Sequence, residues 1–473
     1  MATMKIQQLL PRLKPVGAAA TALVLAGCAT FSQDGGMDAV SGLAKERTGQ
    51  TVQFSRSGNE VDGKVNELLG KPLTPDTAVQ VALLNNKGLQ ASLAELGIAE
   101  AELVQAGRLR NPSFSFSRMH GGEDVEIERS IMFDLVGLLT IPVRSDIESR
   151  RFEQAKLQAA LQAVRLAADT RKAYFHAVAA RQTAQYMEQV ATAAEASAQL
   201  AQQMAKVGNW SKLDQAREQA FYAEATAQVA RARHNATAAR EQLARLMGVW
   251  GEQAASFQLP ERLPDLPKEP NAISDIESQA MQQRLDVQMA KRDAEMTASA
   301  LGLTRATGFI NVLHAGYANK SETDASRANG YEIELELPIF DWGRARTAKA
   351  EAIYMQSVQR TADTAIRARS EVREAYFAYR TAYDLARHYR DEIVPLRKKI
   401  SDEMLLRYNG MLIGVFELLA DARDQIGSVN AAIEAQRDYW LTETDLQMAI
   451  NGSGGGATAL RGLAAASSAA QGH

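Results

Sequence analysis

Apolar residues recur at helical spacing over most of the chain. Between about residues 145 and 207, a seam that includes Leu157, Leu161, Val164, Ala168 and Phe175 follows the three- and four-residue steps of a coiled coil. Further helices are predicted at about 73–106, 211–247, 273–303 and 344–408, and a last helix ends near residue 450. A helix over 344–408 would be roughly 90 Å long at 1.5 Å per residue, which exceeds a globular domain.

Four shorter segments alternate between apolar and polar residues, which predicts β-strands. They are Ser113–Arg118, Val125–Leu135, Phe309–Tyr317 and Tyr331–Ile339. Gly121-Gly122 separates the first two, so these two read as a hairpin. Strands of about nine to eleven residues suit a tilted outer-membrane strand, but four strands are too few to close a barrel, which needs about eight.

The order helix, strand pair and long helical hairpin occurs twice. We therefore predict a signal peptide at 1–27, a lipid-anchored linker at 28–72, a first repeat at 73–259, a proline-rich connector at 260–270, a second repeat at 271–450 and a disordered tail at 451–473. Pro395 interrupts the longest predicted helix and is expected to kink it.

The N-terminus resembles a bacterial export signal. Lys5, Arg12 and Lys14 precede a short apolar run at 16–26, which is too short to span a bilayer as a helix. The run ends in Leu-Ala-Gly-Cys at 25–28, which resembles a lipobox, and Cys28 is the one cysteine of the chain. We expect Cys28 to be lipidated, for example by palmitate; the alternative is an ordinary secretory signal with a chance cysteine.

Composition excludes several classes of function. The chain has 473 residues, 46% hydrophobic and 6% aromatic, and a net charge of −3, so nucleic acid is not an expected partner. One cysteine excludes an intrachain disulfide and a multi-cysteine metal cluster. The six histidines and the methionines are dispersed along the chain, and the sequence has no phosphate loop. We therefore expect no enzymatic activity, no metal site and no cofactor apart from the covalent lipid.

The chain resembles the TolC-type outer-membrane efflux channel family over about residues 73–450. Its most specific segment is Leu-Glu-Leu-Pro-Ile-Phe-Asp-Trp-Gly-Arg at 335–344, which is similar to the family's strand-to-helix signature. The resemblance implies a mainly α fold with a small β part. It also implies a homotrimer in which four strands per chain form a twelve-strand transmembrane β-barrel above a long α-helical coiled-coil barrel. The implied partners are outer-membrane lipid, a periplasmic adaptor and an inner-membrane efflux pump, and the implied location is the bacterial outer membrane.

The resemblance also identifies the ends of the two helical hairpins. The first resembles the family at Gly208, Asn209 and Trp210, and the second at Asn409 and Gly410. Trp210 is either an adaptor contact or a packing residue. Candidate acids at the periplasmic aperture are Asp214, Glu218, Glu417, Asp421 and Asp424. Phe416 and Leu419 occupy the positions where the family often has acids, so the alternative is that these carboxylates are solvated on an outer face.

The polar face of a membrane barrel lines its lumen. This rule predicts that six carboxylates line the pore: Glu126, Glu128, Asp134, Glu332, Glu334 and Glu336. Carboxylate rings favour cations, which predicts a bias towards cationic cargo such as metal ions or drugs. The alternative is that the glutamates only solvate a porin-like lumen.

Two other functions compete with an exit duct of an efflux system. A periplasmic adaptor lipoprotein would carry a single helical hairpin beside a lipoyl-like β module. A structural coiled-coil lipoprotein would not need the strand pairs. The repeated hairpins and the membrane-type strands favour the duct over both.

Overall fold

A computed structural model describes residues 30–54, 58–307, 312–337 and 339–454. The predicted signal peptide, Cys28 and most of the predicted tail lie outside the described residues. The helices, in chain order, are α1 Met37–Thr48, α2 Gly58–Leu69, α3 Pro75–Asn85, α4 Lys87–Ala106, α5 Leu135–Lys206, α6 Lys212–Met247, α7 Glu252–Ser256, α8 Ile276–Gln283, α9 Leu285–Ala306, α10 Arg344–His388, α11 Val394–Asn409 and α12 Val415–Asn451. A π-helix, Tyr389–Ile393, lies between α10 and α11.

The four strands form one antiparallel sheet in the order β1-β2-β3-β4. They are β1 Ser113–Gly121, β2 Asp124–Asp134, β3 Leu313–Glu322 and β4 Ala328–Leu335. The predominantly helical fold with a small β part is therefore confirmed. Among the described residues, no helix combines the length and the apolarity that a membrane crossing requires.

The chain divides into two compact units. The first contains the sheet, with residues up to 36, 95–155 and 292–359. The second contains residues 37–94, 156–291 and those from 360 onwards. The boundaries predicted for the two repeats are a division of the sequence and stay a prediction.

The core of the second unit is built from alanine and aromatic residues. Alanine favours helix and allows close helix approach, and Ala173 and Ala177 of α5 are fully buried with Tyr174 and Phe175. The Tyr174 hydroxyl donates to the carbonyl oxygen of Leu73 at 3.0 Å. This contact satisfies the polar end of a buried ring and fixes the start of α3 against α5.

Side-chain caps fix the starts of two helices. Thr74 accepts a hydrogen bond from the Thr77 N–H at 3.1 Å, and the Thr77 hydroxyl is within reach of the Thr74 N–H in return. Ser211 caps α6 by accepting from the Asp214 N–H. The predicted helix over 73–106 is divided, because Asn86 has an extended backbone between α3 and α4.

The predicted start of the long first helix near residue 145 is wrong, because α5 begins at Leu135. Asp134, the last residue of β2, accepts a hydrogen bond from the Gly137 N–H at 2.7 Å. The carboxylate therefore caps the helix at the end of the strand, and β2 passes directly into α5. Pro142 is accommodated inside the helix.

The helix predicted over 344–408 is also interrupted. Pro395 has no N–H with which to continue the α-helical ladder, and the five residues Tyr389–Ile393 just before α11 adopt a π-helix. The interruption expected at Pro395 thus takes the form of a π-helical insertion at residues 389–393.

The two strands of the second pair are displaced from their predicted positions. β3 extends to Glu322 instead of ending at Tyr317, and β4 ends at Leu335 instead of Ile339. Pairing explains the extension of β3, since Glu322 lies opposite Glu126 and Lys320 opposite Glu128 on β2. Residues 308–311, at the predicted start of β3, lie outside the described residues.

Candidate functional site: an acidic sheet face and two hairpin ends

The pairing register divides the sheet into two chemically different faces. Residues directly opposite each other in an antiparallel sheet lie on the same face. Phe114 therefore shares a face with Ile131, Ile131 with Tyr317, and Tyr317 with Tyr331. The large apolar side chains exposed on this face are Phe114, Phe116, Ile131, Phe133, Tyr317, Tyr331, Ile333 and Leu335. We call it the apolar face.

The carboxylates lie on the opposite face. By the same register, Glu126, Glu128 and Asp134 of β2 share this acidic face with Glu332 and Glu334 of β4. The structure thus brings five of the six predicted pore-lining acids onto one surface. Glu336 lies one residue beyond β4, although its N–H still donates to the Val312 carbonyl oxygen at 3.3 Å.

The acidic face also contains basic groups that sequence reasoning missed. Lys320 of β3 forms an ion pair with Glu126, and Nδ1 of His314 lies 3.0 Å from a carboxylate oxygen of Glu334. Glu322 adds a further acid to the same face. Alternation did not reveal Lys320 and Glu322, because both lie beyond the predicted end of this strand at Tyr317.

Asp134 differs from the other acids of the face. Besides capping α5, it accepts a hydrogen bond from Arg110 at 3.1 Å, and its side chain is mostly buried. These contacts give Asp134 a structural role at the end of the strand.

The candidate aperture acids divide by environment. Asp214 and Glu417 each bond within the first turn of their helix: the Ser211 hydroxyl donates to Asp214 at 2.6 Å, and the Gly414 N–H donates to Glu417 at 2.9 Å. Both carboxylates thereby stabilise helix N-termini.

Two other aperture candidates are buried within the chain. Glu218 is only 2% exposed and accepts a hydrogen bond from the Ser197 hydroxyl at 2.8 Å, across the α5–α6 hairpin. Asp421 is buried, and one of its oxygens has no hydrogen-bond partner among the described residues. Asp424 is exposed and forms an ion pair with Arg397 at 3.1 Å.

The first hairpin end has the geometry expected of its glycine. Gly208 has a φ of +79°, in the left-handed region that glycine adopts without strain, and the Asn209 N–H donates to the Met204 carbonyl oxygen at 2.9 Å. At the second end the positive φ falls on Met411, at +57°, and not on Gly410. Trp210 is half-buried.

Exposed apolar side chains at both ends were missed by sequence reasoning. Met411 is 93% exposed and Leu412 77%, and Val207, Leu213 and Phe416 are also exposed. Turns usually contain polar residues, so the apolar residues at these two turns are the sequence feature that could have identified this surface. The guanidinium carbon of Arg217 lies 5.0 Å from the centre of the Phe416 ring, which brings the two ends together.

A third feature, in the second unit, is a group of ionisable residues around Lys172 and Arg437, in which Asp438 and Asp445 are buried. His176 is exposed, but desolvation by its neighbours and the cations Arg437 and Lys172 lower its pKa to about 4. Burial raises the pKa of Asp438 and of Asp445, while the adjacent Arg437 and Lys172 oppose the rise. Among the residues that the structure describes, no group of three or more His, Cys, Asp or Glu side chains is arranged to hold a metal ion.

One family model matches part of the chain. Residues 277–409 match the family model described as "Outer membrane efflux protein". The predicted resemblance to outer-membrane efflux channels is thereby confirmed, and the matched family is one of channels and not of enzymes. A search of the curated proteins found no match.

Several solved structures share the fold of this chain. VceC, an outer membrane protein from Vibrio cholerae, aligns at 15% identity with a TM-score of 0.67, covering 83% of this chain and 97% of that chain. The CmeC outer membrane channel of Campylobacter jejuni aligns at 17% identity and a TM-score of 0.66, covering 88% and 92%. The MtrE outer membrane channel of Neisseria gonorrhoeae aligns at 18% identity and 0.65, covering 80% and 89%.

Proposed function

We propose that three copies of this chain form the outer-membrane exit duct of a tripartite efflux system. The observation that carries the proposal is the sheet, which presents one exposed apolar face and one acidic face and has two open edges. A water-soluble domain would cover such an apolar face, whereas a membrane barrel turns it towards lipid.

The open edges require an oligomer. β1 and β4 each have one neighbour in the sheet, so each leaves a row of unpaired N–H and C=O groups. Lipid cannot satisfy these groups, and four strands cannot curve into a closed barrel. If β4 of one copy pairs with β1 of the next, three copies close a barrel of twelve strands.

The two faces then acquire distinct roles. The apolar face contacts lipid, and the polar band of Arg129, Asn319 and Asn329, which lies towards the β3–β4 turn, contacts the membrane surface. Within this band, Asn319 donates to Asn329 at 2.7 Å, and so does the Tyr317 hydroxyl. The acidic face lines the lumen, where Glu126, Glu128, Asp134, Glu332, Glu334 and Glu336 become rings of three carboxylates that favour cationic cargo.

A lipid on Cys28 would hold the start of the chain at the membrane. Ser32, four residues later in the sequence, donates from both its N–H and its hydroxyl to Glu100 of α4, each at 2.5 Å. Glu100 is buried, so this contact fixes the segment that follows the cysteine. The intact mass of the mature protein tests the anchor: Cys28→Ser should lack the lipid mass.

The hairpin ends are the proposed docking surface for the adaptor, which links the duct to an inner-membrane pump. The exposed apolar residues Met411, Leu412 and Phe416, with Val207 and Leu213, provide an apolar patch with the Arg217 cation beside it. An adaptor or a purely structural coiled coil is disfavoured by the sheet and by the presence of two helical hairpins.

Disulfide crosslinking between strand edges tests the oligomer. Cysteines are placed singly at Ser113, Ser115 and Ser117 of β1 and combined with Gly330→Cys of β4, because all four positions lie on the acidic face. The account predicts that at least one pair gives covalent dimers and trimers in outer-membrane fractions. Phe116→Cys with Gly330→Cys is the matched control, since these positions lie on opposite faces. Monomers alone from all three pairs would contradict the proposal.

A further inference from the structure

We propose that a cluster of arginines at the junction of α4 with β1 binds a phosphate group. The cluster lies in the first unit, in a cavity of about 780 Å³ between α4, α5 and α9. Four arginines line the cavity: Arg108, Arg110, Arg144 and Arg151. Sequence reasoning did not detect the site, because the two pairs of arginines are separated by the β1–β2 hairpin.

The cavity contains an excess of positive charge. Arg110 is paired with Asp134 at 3.1 Å, and Arg151 contacts both oxygens of Glu148 at 2.9 and 3.0 Å. Arg108 and Arg144 have no carboxylate partner among the described residues. Glu102, the remaining acid of the lining, is exposed. Two guanidinium groups are therefore available to an anion.

Arg144 supplies an independent indication of a ligand. Its Nη2 donates to the Gly137 carbonyl oxygen at 3.3 Å, but its Nε is buried and has no hydrogen-bond partner among the described residues. A buried charged donor without an acceptor is costly, and its presence calls for an occupant that supplies oxygen. Arg144 lies on α5, and β2 passes directly into this helix. The backbone that carries the guanidinium group is therefore fixed by both elements.

The lining offers the donors that a phosphate group requires. Planar guanidinium groups bind the tetrahedral oxygens of phosphate through pairs of parallel hydrogen bonds. The side-chain amides of Gln105 and Asn111 lie in the same lining and offer further donors. The cavity is much larger than a phosphate ion, and Leu109, Ile147 and Leu303 give it an apolar part. A phosphate ester with an apolar tail, such as a phospholipid, fits this combination.

Ligand binding to the purified full-length protein in phosphate-free detergent tests the proposal. The probes are inorganic phosphate, dioctanoyl phosphatidylglycerol and dioctanoylglycerol, which lacks the phosphate, and binding is measured by calorimetry and by native mass spectrometry. The expected result is saturable binding of a phosphate-bearing probe, weakened at least about tenfold in Arg108→Gln with Arg144→Gln. Binding of phosphatidylglycerol alone identifies a lipid headgroup, and comparable binding of inorganic phosphate identifies a soluble phosphate.

The matched control is Arg292→Gln, which removes an exposed arginine of the same unit that pairs with Glu295 outside the cavity. This variant should bind like the wild type. Circular dichroism and oligomer size monitor folding, and if the double variant misfolds, Arg108→Gln alone is used, because Arg108 is exposed. Binding of neither phosphate-bearing probe by the wild type would overturn the proposal, as would equal binding by wild type and variant. Unchanged binding by a variant that has lost its oligomer would also overturn the proposal.

Discussion

Arg217 of α6 lies over the ring of Phe416 of α12, with 5.0 Å between the guanidinium carbon and the ring centre. The contact joins the ends of the two helical hairpins. A second contact of this kind lies further along α6 and α12, where the guanidinium carbon of Arg423 is 5.5 Å from the centre of the Phe221 ring. Arg423 also forms an ion pair with Glu224 at 3.5 Å. The two turns therefore lie close together, and their apolar residues form the surface proposed to bind the adaptor.

Replacing the most exposed part of this surface should impair docking without affecting the oligomer. Met411→Ser with Leu412→Ser is expected to weaken adaptor binding by roughly tenfold, since truncation of a central apolar contact costs about 1–2 kcal/mol. The measurement is resistance to toxic cargo in the bacterium that encodes the chain, with crosslinked trimer as a check on assembly. Trp250→Ser, at an exposed tryptophan after α6, is the control. Full resistance in the double variant would argue against docking at this surface.

Gly316 should be essential for pairing β2 with β3. A Cβ at Gly316 would overlap the carbonyl oxygen of Ile131 and crowd the sulfur of Met132, whereas a Cβ at Gly330 meets no atom. Gly316→Ala is expected to destabilise the sheet by about 1–3 kcal/mol, as overpacking does elsewhere. The temperature at which the detergent-resistant oligomer dissociates should fall in Gly316→Ala and stay unchanged in Gly330→Ala. Identical temperatures would refute the register described for these strands.

His176 should make stability depend on pH. Its folded pKa of about 4 is below the ordinary value of 6.5, because desolvation by neighbouring atoms and the adjacent Arg437 and Lys172 disfavour the protonated ring. Arg245 and Glu434 line the same cavity. The folded chain binds the proton more weakly than the unfolded chain, so this contribution is complete above pH 6.5. It is lost as the pH falls towards 4, and because solvent reaches the exposed His176 ring the loss is small.

Urea unfolding at pH 7 and at pH 4.5 measures this effect. His176→Gln should lose less stability than the wild type between the two pH values. His388→Gln is the control, because that ring lies 3.3 Å from the carboxylate of Glu392 and not beside Arg437 and Lys172. An identical pH dependence in wild type and His176→Gln would show that His176 does not titrate in this way.

Charge reversal on the acidic face should change ion selectivity. Glu332→Lys with Glu334→Lys replaces two carboxylates that the register places on the same face as Glu128. The channel in a planar bilayer should lose its preference for potassium over chloride, as judged from the reversal potential in asymmetric KCl. Glu46→Lys, at an exposed position of α1, serves as control. An unchanged preference would mean that these glutamates only solvate the lumen.

The sequence predicted the parts of the fold that depend on local patterns. The β1–β2 hairpin follows from alternation around Gly121-Gly122, and helical spacing predicts a helix from about residue 73, where α3 begins at Pro75. The extension of β3 to Glu322 was missed, because Asn319 and Lys320 are stabilised by cross-strand contacts with Arg129 and Glu126. Such contacts join residues almost 200 positions apart and have no local signature.

Among the candidate site residues, too, the sequence predicted those that follow a local pattern and missed those that depend on packing. Alternation correctly placed Glu126, Glu128, Asp134, Glu332 and Glu334 on one face. The burial of Glu218 against Ser197 depends on how two helices pack, which residue spacing within α6 does not determine.

The number of chains in one particle is the most direct test of the proposed trimer. Native mass spectrometry of the full-length protein, extracted from the outer membrane in mild detergent, counts these chains without any substitution. The account predicts a single species of three chains, because only an oligomer satisfies the open edges of β1 and β4 and closes the barrel. A stable monomer extracted from the membrane under these conditions would contradict it.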